Sequence, residues 1–338
     1  MGMSARYDAL LLDLDGTVWA GDTAIPNAVE AVSAAKEKGL AAAFVTNNAS
    51  KAPADVAVKL SGMGLATEPS AVMTSAQAAV LLAAQNAHPG EKILVVGAPS
   101  FVELVRAAGF EPVFSADDIP VAVVHGHSPE NGWKQLSEAA LAIRQGARYI
   151  ASNLDTTLPM DRGLMVGNGS MVAAVTSATG VVPEAAGKPE PAMFDLAAKN
   201  LCATRPLVVG DRLDTDIAGG VAAKMDVLHV LTGVSGPLAL IAAPPEQRPT
   251  FIAEDLGVLV DDVDPSTLCP AQQGGFTATR DGEEIILDGG DEAGTPLQAL
   301  RTVLAVAWAD SDAGAGQGGP AVVKPVSDAA RAATQAWW

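Results

Sequence analysis

The chain has 338 residues, enough for two or three domains with cores of their own. Its 21 basic and 39 acidic side chains leave a formal charge of −18, which argues against nucleic acid or an anionic membrane surface as a partner. Cys202 and Cys269 are its two thiols, too few for a disulfide framework and without metal-ligand spacing, so a reducing, cytoplasmic location is expected.

Residues 1–7 carry no apolar core of the kind a signal peptide needs. Leu10-Leu11-Leu12-Asp13-Leu14-Asp15-Gly16-Thr17 then reads as a strand buried on both faces that ends in two carboxylates one residue apart. Side chains at Asp13 and Asp15 point to opposite sides of a continuing strand, so a tight turn at Gly16 must bring both to one place. A helix is expected over residues 26–38, with proline at its start and Gly39 at its end. A strand follows over 41–46, then a helix over 53–60, and Thr74 caps another that runs to Leu82. Near Ala83 the pattern restarts: strands at 93–96, 121–124 and 149–151 alternate with helices at 101–108 and 134–144. Beyond it come a helix at 193–201 and strands at 207–209, 227–231 and 250–252. After Asp261 the character changes to a strand at 284–287, a helix at 296–308, a small-residue loop at 310–319 and a helix at 329–338. Two uncharged runs, 163–183 and 227–245, are broken by glycine and proline and cannot span a membrane.

The expected fold is therefore α/β: a doubly wound parallel sheet with an inserted α/β domain and a small C-terminal α+β extension. The chemistry concentrates where Asp13 and Asp15 sit. A carboxylate can attack phosphorus, a second beside it can move protons, and two like charges so close call for a cation. A calcium loop does not fit, because Val18 stands where an EF-hand requires glycine. Gly167-x-Gly169 lacks the third glycine of a dinucleotide fingerprint, and no Walker A or Gly-x-Ser-x-Gly sequence occurs. His125 and His127 lack a third ligand and read as a polar loop rather than a metal pair.

Four stretches together resemble the ordered motifs of the haloacid-dehalogenase superfamily of phosphatases. They are Asp13-Leu14-Asp15-Gly16-Thr17, Phe44-Val45-Thr46-Asn47-Asn48, Gly187-Lys188-Pro189-Glu190-Pro191, and Val209-Gly210-Asp211-Arg212-Leu213-Asp214-Thr215-Asp216. The forms TNN, GKPEP and GDRxDTD resemble the NagD-like branch, with a large α/β cap between the second and third motifs, and actinobacterial glycerol 3-phosphate phosphatases within it. The resemblance covers roughly residues 7–260 and implies a core from 1–82 and 183–262, a cap from 83–182, and an appended domain from 263–338. That tail faintly resembles an acetyltransferase fold. Its Gln317-Gly318-Gly319-Pro320 lacks the glycine of an acetyl-CoA loop, so it reads as structural or as an interaction surface.

The resemblance and the residue chemistry assign the same roles. Asp13 is the expected nucleophile and Asp15 the acid and base. Mg²⁺ is expected on the carboxylates of Asp13 and Asp211 and the backbone carbonyl of Asp15. Asp216 is expected behind these ligands, and Asp214 at the surface. Thr46 and Asn47 bind the phosphoryl group and Lys188 neutralises it. In the cap, the loop over 153–159 with Asp155 and Leu158 faces substrate, and leucine at 158 favours a small polyol phosphate over pyridoxal phosphate. The expected activity is Mg²⁺-dependent hydrolysis of a small phosphomonoester, glycerol 3-phosphate first. Sugar, nucleotide, phosphoglycolate or pyridoxal phosphates are the alternatives, and a catalytically silent binding protein is the alternative of another class. A homo-oligomer is compatible with this sequence.

Overall fold

The computed structural model describes residues 2–160, 162–261, 263–312 and 322–337. The chain divides into two compact units, Met1–Ala42 with Ala203–Trp338, and Ala43–Cys202.

In the first unit four parallel strands stand in the order Phe251–Ala253, Asp226–Val230, Pro206–Gly210, Ala9–Leu12. Leu11 lies opposite Val208, and Val208 opposite Val227. Nearly every residue of these strands is buried, as their unbroken apolar runs require of a sheet covered on both faces. Parallel pairing puts the C-terminal ends of neighbouring strands at one edge, so Asp13 and Asp211, each one residue past its strand, emerge side by side. The bond from Asp13 N–H to the Val209 carbonyl, 2.9 Å, carries the pairing to that edge.

The same unit holds the C-terminal stretch. Phe276–Asp281 and Glu284–Gly289 form an antiparallel hairpin, and Val322–Pro325 adds to the second strand in parallel. Helices Pro296–Asp312 and Asp328–Gln335 complete it. Two of the three strands were not legible from composition, and the expected loop at 310–319 is helical up to Asp312, while its remainder lies outside the described residues.

In the second unit, the end of the strand Ala41–Thr46 pairs in parallel with Val72–Thr74, Phe44 opposite Val72. Thr74 caps the helix Ser75–Ala84 by accepting from Gln77 N–H while the Gln77 side chain accepts from Thr74 N–H, a reciprocal capping box. A five-stranded parallel sheet follows, ordered Glu184–Ala185, Arg148–Ala151, Ala122–His125, Lys92–Val96, Glu111–Val113. Leu94, Val96, Val123 and Tyr149 of this sheet pack with Ala139, Ala142 and Ile143 of the helix Trp133–Arg144. The segment read as a loop around Leu158 is instead an antiparallel hairpin, Thr157–Met160 with Gly163–Val166, leading into a helix, Asn168–Thr179. Among the described residues no helix is long and apolar enough to cross a membrane.

Candidate active site

Asp13, Asp211 and Asp216 form a buried carboxylate cluster in the first unit, each offering an oxygen within 4.8 Å of the others. Their approach depends on glycine. Gly16 turns the chain at φ +94°, a left-handed value that favours glycine, and a Cβ there would lie 2.6 Å from the Asp211 Cγ. A side chain at Gly210 would collide with Asp216, and one at Gly233 with the Asp211 carboxylate.

Hydrogen bonds hold Asp211 in place. Its carboxylate accepts from Val234 N–H at 2.7 Å and from the Thr17 hydroxyl at 3.4 Å, while its carbonyl accepts from Ser235 N–H at 3.2 Å. The 232–235 loop is itself anchored: the Thr232 hydroxyl donates to the Gly16 carbonyl at 2.6 Å, and His229 Nε2 donates to the Ser235 carbonyl at 2.8 Å. Burial pushes the His229 imidazole down to about 4, so this ring is neutral at pH 7. Asp216 accepts from Arg212 N–H at 3.1 Å. Asp214 is exposed and pairs with Arg212, the surface place expected of it.

Three carboxylates with oxygen atoms this close and this buried repel one another, and a hard divalent cation is the natural partner of an all-oxygen set. The residues present therefore fit Mg²⁺. Asp15 is exposed, and its carboxylate accepts from Trp19 Nε1 at 2.7 Å.

In the second unit, Thr46, Asn47 and Lys188 come together with Asp155. The Asn47 amide donates to Asp155 at 3.2 Å and to the Lys188 carbonyl at 3.0 Å, and its oxygen accepts from Lys188 N–H at 2.8 Å. Lys188 is buried, with its ammonium donating to the Val45 carbonyl at 3.0 Å. The buried Thr46 hydroxyl accepts from Asn48 N–H at 3.1 Å. Asn153 and Ser75, both buried, donate to the Asn47 carbonyl at 2.7 and 2.6 Å. Leu158 lies in the hairpin opposite Met165, partly exposed. His125 is buried in the sheet, its Nδ1 paired with the Tyr149 hydroxyl at 2.9 Å.

Sequence reading missed the 232–235 loop and Trp19. The loop acts through backbone N–H groups, which leave no side-chain signature; Gly233 and Gly236 were its one trace.

The comparisons agree with this architecture. Residues 10–111 match the family model of haloacid dehalogenase-like hydrolases, and residues 185–259 match a second hydrolase-like model of the same kind. The chain is 41% identical to the D-glycerol 3-phosphate phosphatase of Mycobacterium tuberculosis over 99% of its own length and 95% of the relative's. The crystal structure of glycerol phosphate phosphatase from that organism in complex with magnesium is similar at a TM-score of 0.91 and 41% identity, covering 99% of this chain and 98% of that one. A 4-nitrophenylphosphatase from Thermotoga maritima is similar at a TM-score of 0.70 and 31% identity, over 76% of this chain and 98% of that one. This chain belongs to the haloacid dehalogenase-like hydrolases, and it is a phosphatase of that family.

Proposed function

We propose that the chain hydrolyses glycerol 3-phosphate with Mg²⁺, through a phosphoryl group carried transiently on Asp13. The observation that carries the chemistry is the buried group of Asp13 and Asp211, at the ends of parallel strands, with Asp216 in the helical turn that follows. The substrate reading rests on similarity to the M. tuberculosis enzyme along almost the whole chain.

The Asp13 carboxylate attacks phosphorus as the bond to the glycerol oxygen breaks, and the leaving alkoxide takes a proton from Asp15. Asp15, now ionised, removes a proton from a water that attacks the same phosphorus. Inorganic phosphate departs and the bonding pair returns to the Asp13 carboxylate. Thr46 and Asn47 donate hydrogen bonds to phosphoryl oxygens, and the Lys188 ammonium balances their charge. The carboxylates of Asp13 and Asp211 and the Asp15 carbonyl would hold Mg²⁺, with Asp216 behind them. When bound, the ion neutralises charge on the phosphoryl oxygens and on the carboxylates themselves. Asp155 and Leu158 are assigned to the substrate side of the cap.

The core is assigned to residues 1–82 and 183–262, the cap to 83–182 and the appended domain to 263–338. A cytoplasmic enzyme that needs neither nucleic acid nor membrane accords with the −18 charge and the two thiols. The test is phosphate release from glycerol 3-phosphate, pyridoxal 5′-phosphate, sugar phosphates and a nucleoside monophosphate. Turnover should be abolished by EDTA and restored by Mg²⁺. Full activity in chelator, or a preference for another ester, overturns the corresponding part of the proposal.

A further inference from the structure

We propose that Trp19 is the positioning residue for the proton-transfer carboxylate of Asp15, an inference that rests on the acid and base role given to Asp15 above. A general acid acts when one oxygen faces the leaving group with its proton, and an exposed aspartate on a turn samples several rotamers unless something holds it. Asp15 is exposed, whereas Trp19 is 5% exposed and donates its indole N–H to Asp15 Oδ1 at 2.7 Å. With Oδ1 engaged, Oδ2 is left to carry the exchangeable proton.

The indole cannot easily leave that position. Gly16 N–H bonds the Trp19 carbonyl at 2.8 Å and Trp19 N–H bonds the Leu14 carbonyl at 3.0 Å, which folds residue 19 back beside residue 15. Trp19 also pairs with Ala24 in a two-stranded ribbon. Gly16, the pivot, has its carbonyl held by the Thr232 hydroxyl at 2.6 Å, and the Asp211 carboxylate leaves no room there for a side chain. The indole, a rigid group on a fixed backbone, thus restrains a flexible carboxylate two residues past the nucleophile. In the first chemical step the restrained Oδ2–H gives its proton to the alkoxide as the P–O bond breaks. In the second step the same oxygen receives a proton from water.

Assistance of this kind matters when the leaving group is a poor one. An alkoxide such as that of glycerol needs the proton, whereas 4-nitrophenolate departs without it. The value of kcat/KM reports steps up to departure of the alcohol, so it isolates the acid role. Trp19→Phe keeps a ring and removes the N–H. It should lower kcat/KM for glycerol 3-phosphate about tenfold or more, while 4-nitrophenyl phosphate changes by less than about threefold. Asp15→Asn should show the same selectivity more strongly, and adding Trp19→Phe to it should cost nothing further on glycerol 3-phosphate.

If Trp19→Phe fails to fold, benzothienylalanine at position 19 preserves the bicyclic shape and lacks the N–H donor. Equal loss on both substrates, loss on neither, or additive losses in the double variant would overturn the inference and leave the phosphatase reading standing. A wild-type protein inert on both esters in Mg²⁺ overturns the reading and the inference with it.

Discussion

Arg301 lays its guanidinium on the backbone carbonyl of Ile252, donating from both Nε and Nη2. Its remaining nitrogen reaches the Thr267 carbonyl at 2.8 Å and the Gln273 amide oxygen at 3.2 Å, so this buried cation is held by neutral oxygens. Burial pushes its pKa down to about 10, which still leaves it charged at neutral pH. The helix Pro296–Asp312 is thereby tied to the strand Phe251–Ala253, and Trp308 adds a bond from its indole to the Leu240 carbonyl. Arg301→Leu leaves several acceptors buried without donors and should cost about 2–5 kcal/mol. Urea unfolding measures this directly, and specific activity per folded molecule should hold. Deletion of residues 265–338 should lose solubility before chemistry, because the assigned catalytic residues all lie earlier in the chain.

Asp13→Asn preserves size and removes the attacking charge. A drop in kcat of at least about 10³-fold is expected, more than about 4 kcal/mol of barrier, with the fold retained. Activity within tenfold of wild type would show that Asp13 is not the nucleophile.

Gly233→Ala tests the packing around Asp211. A methyl group there meets the Asp211 carboxylate, so that side chain or the 232–235 loop must shift. The Mg²⁺ concentration for half-maximal activity should rise about tenfold or more. Isothermal titration with Mg²⁺ alone provides an independent reading, and unchanged affinity would show that the loop does not hold the ligand.

His125 gives the fold a defined sensitivity to acid. Burial lowers its pKa from 6.5 to about 4, so the folded protein keeps it neutral where the unfolded chain takes up a proton. Its contribution is fully present above pH 6.5 and is lost as pH falls towards 4, about 3 kcal/mol over that window. His125→Gln should be less stable at pH 7.5 yet lose less between pH 7.5 and 4.5. Parallel denaturation curves for the two proteins across that range would contradict this.

Leu158 sits in the hairpin opposite Met165, where it presents an apolar side chain rather than an imidazole. If Leu158 faces the substrate as proposed, a short polyol phosphate gives up little there, whereas a pyridine ring loses a partner worth roughly 1–3 kcal/mol. The kcat/KM for glycerol 3-phosphate should exceed that for pyridoxal 5′-phosphate by about tenfold or more, and Leu158→His should narrow the gap. Phosphate release from both esters at matched Mg²⁺ decides it.

Asp13 and Asp211 were legible because each follows an apolar run, and parallel pairing brings such ends to one edge. The helix Asn168–Thr179 was not legible. Its small and apolar residues surround the axis without a clear stripe, and glycine sits in its first turn. That glycine is dictated from elsewhere: side chains at Gly167 or Gly169 would strike the backbone of residues 154–157. The Phe276–Asp281 strand carries its apolar side chains too sparsely to announce itself. Trp19 and the 232–235 loop escaped for a different reason, since they act by orienting other groups.

Asn47 grips Lys188 by both its backbone N–H and its carbonyl, as a neighbouring strand residue would, across 141 positions of sequence. One side-chain amide therefore joins the loop after the strand Ala41–Thr46 to the turn by which the chain leaves the five-stranded sheet after Glu184–Ala185. Closing a loop costs free energy only logarithmically in its length, about 0.6 kcal/mol for each doubling. Between its ends, segments that do not touch Asn47 can lengthen or shorten while the clasp stays the same, whereas Ser75, Asn153 and Asp155 are part of it.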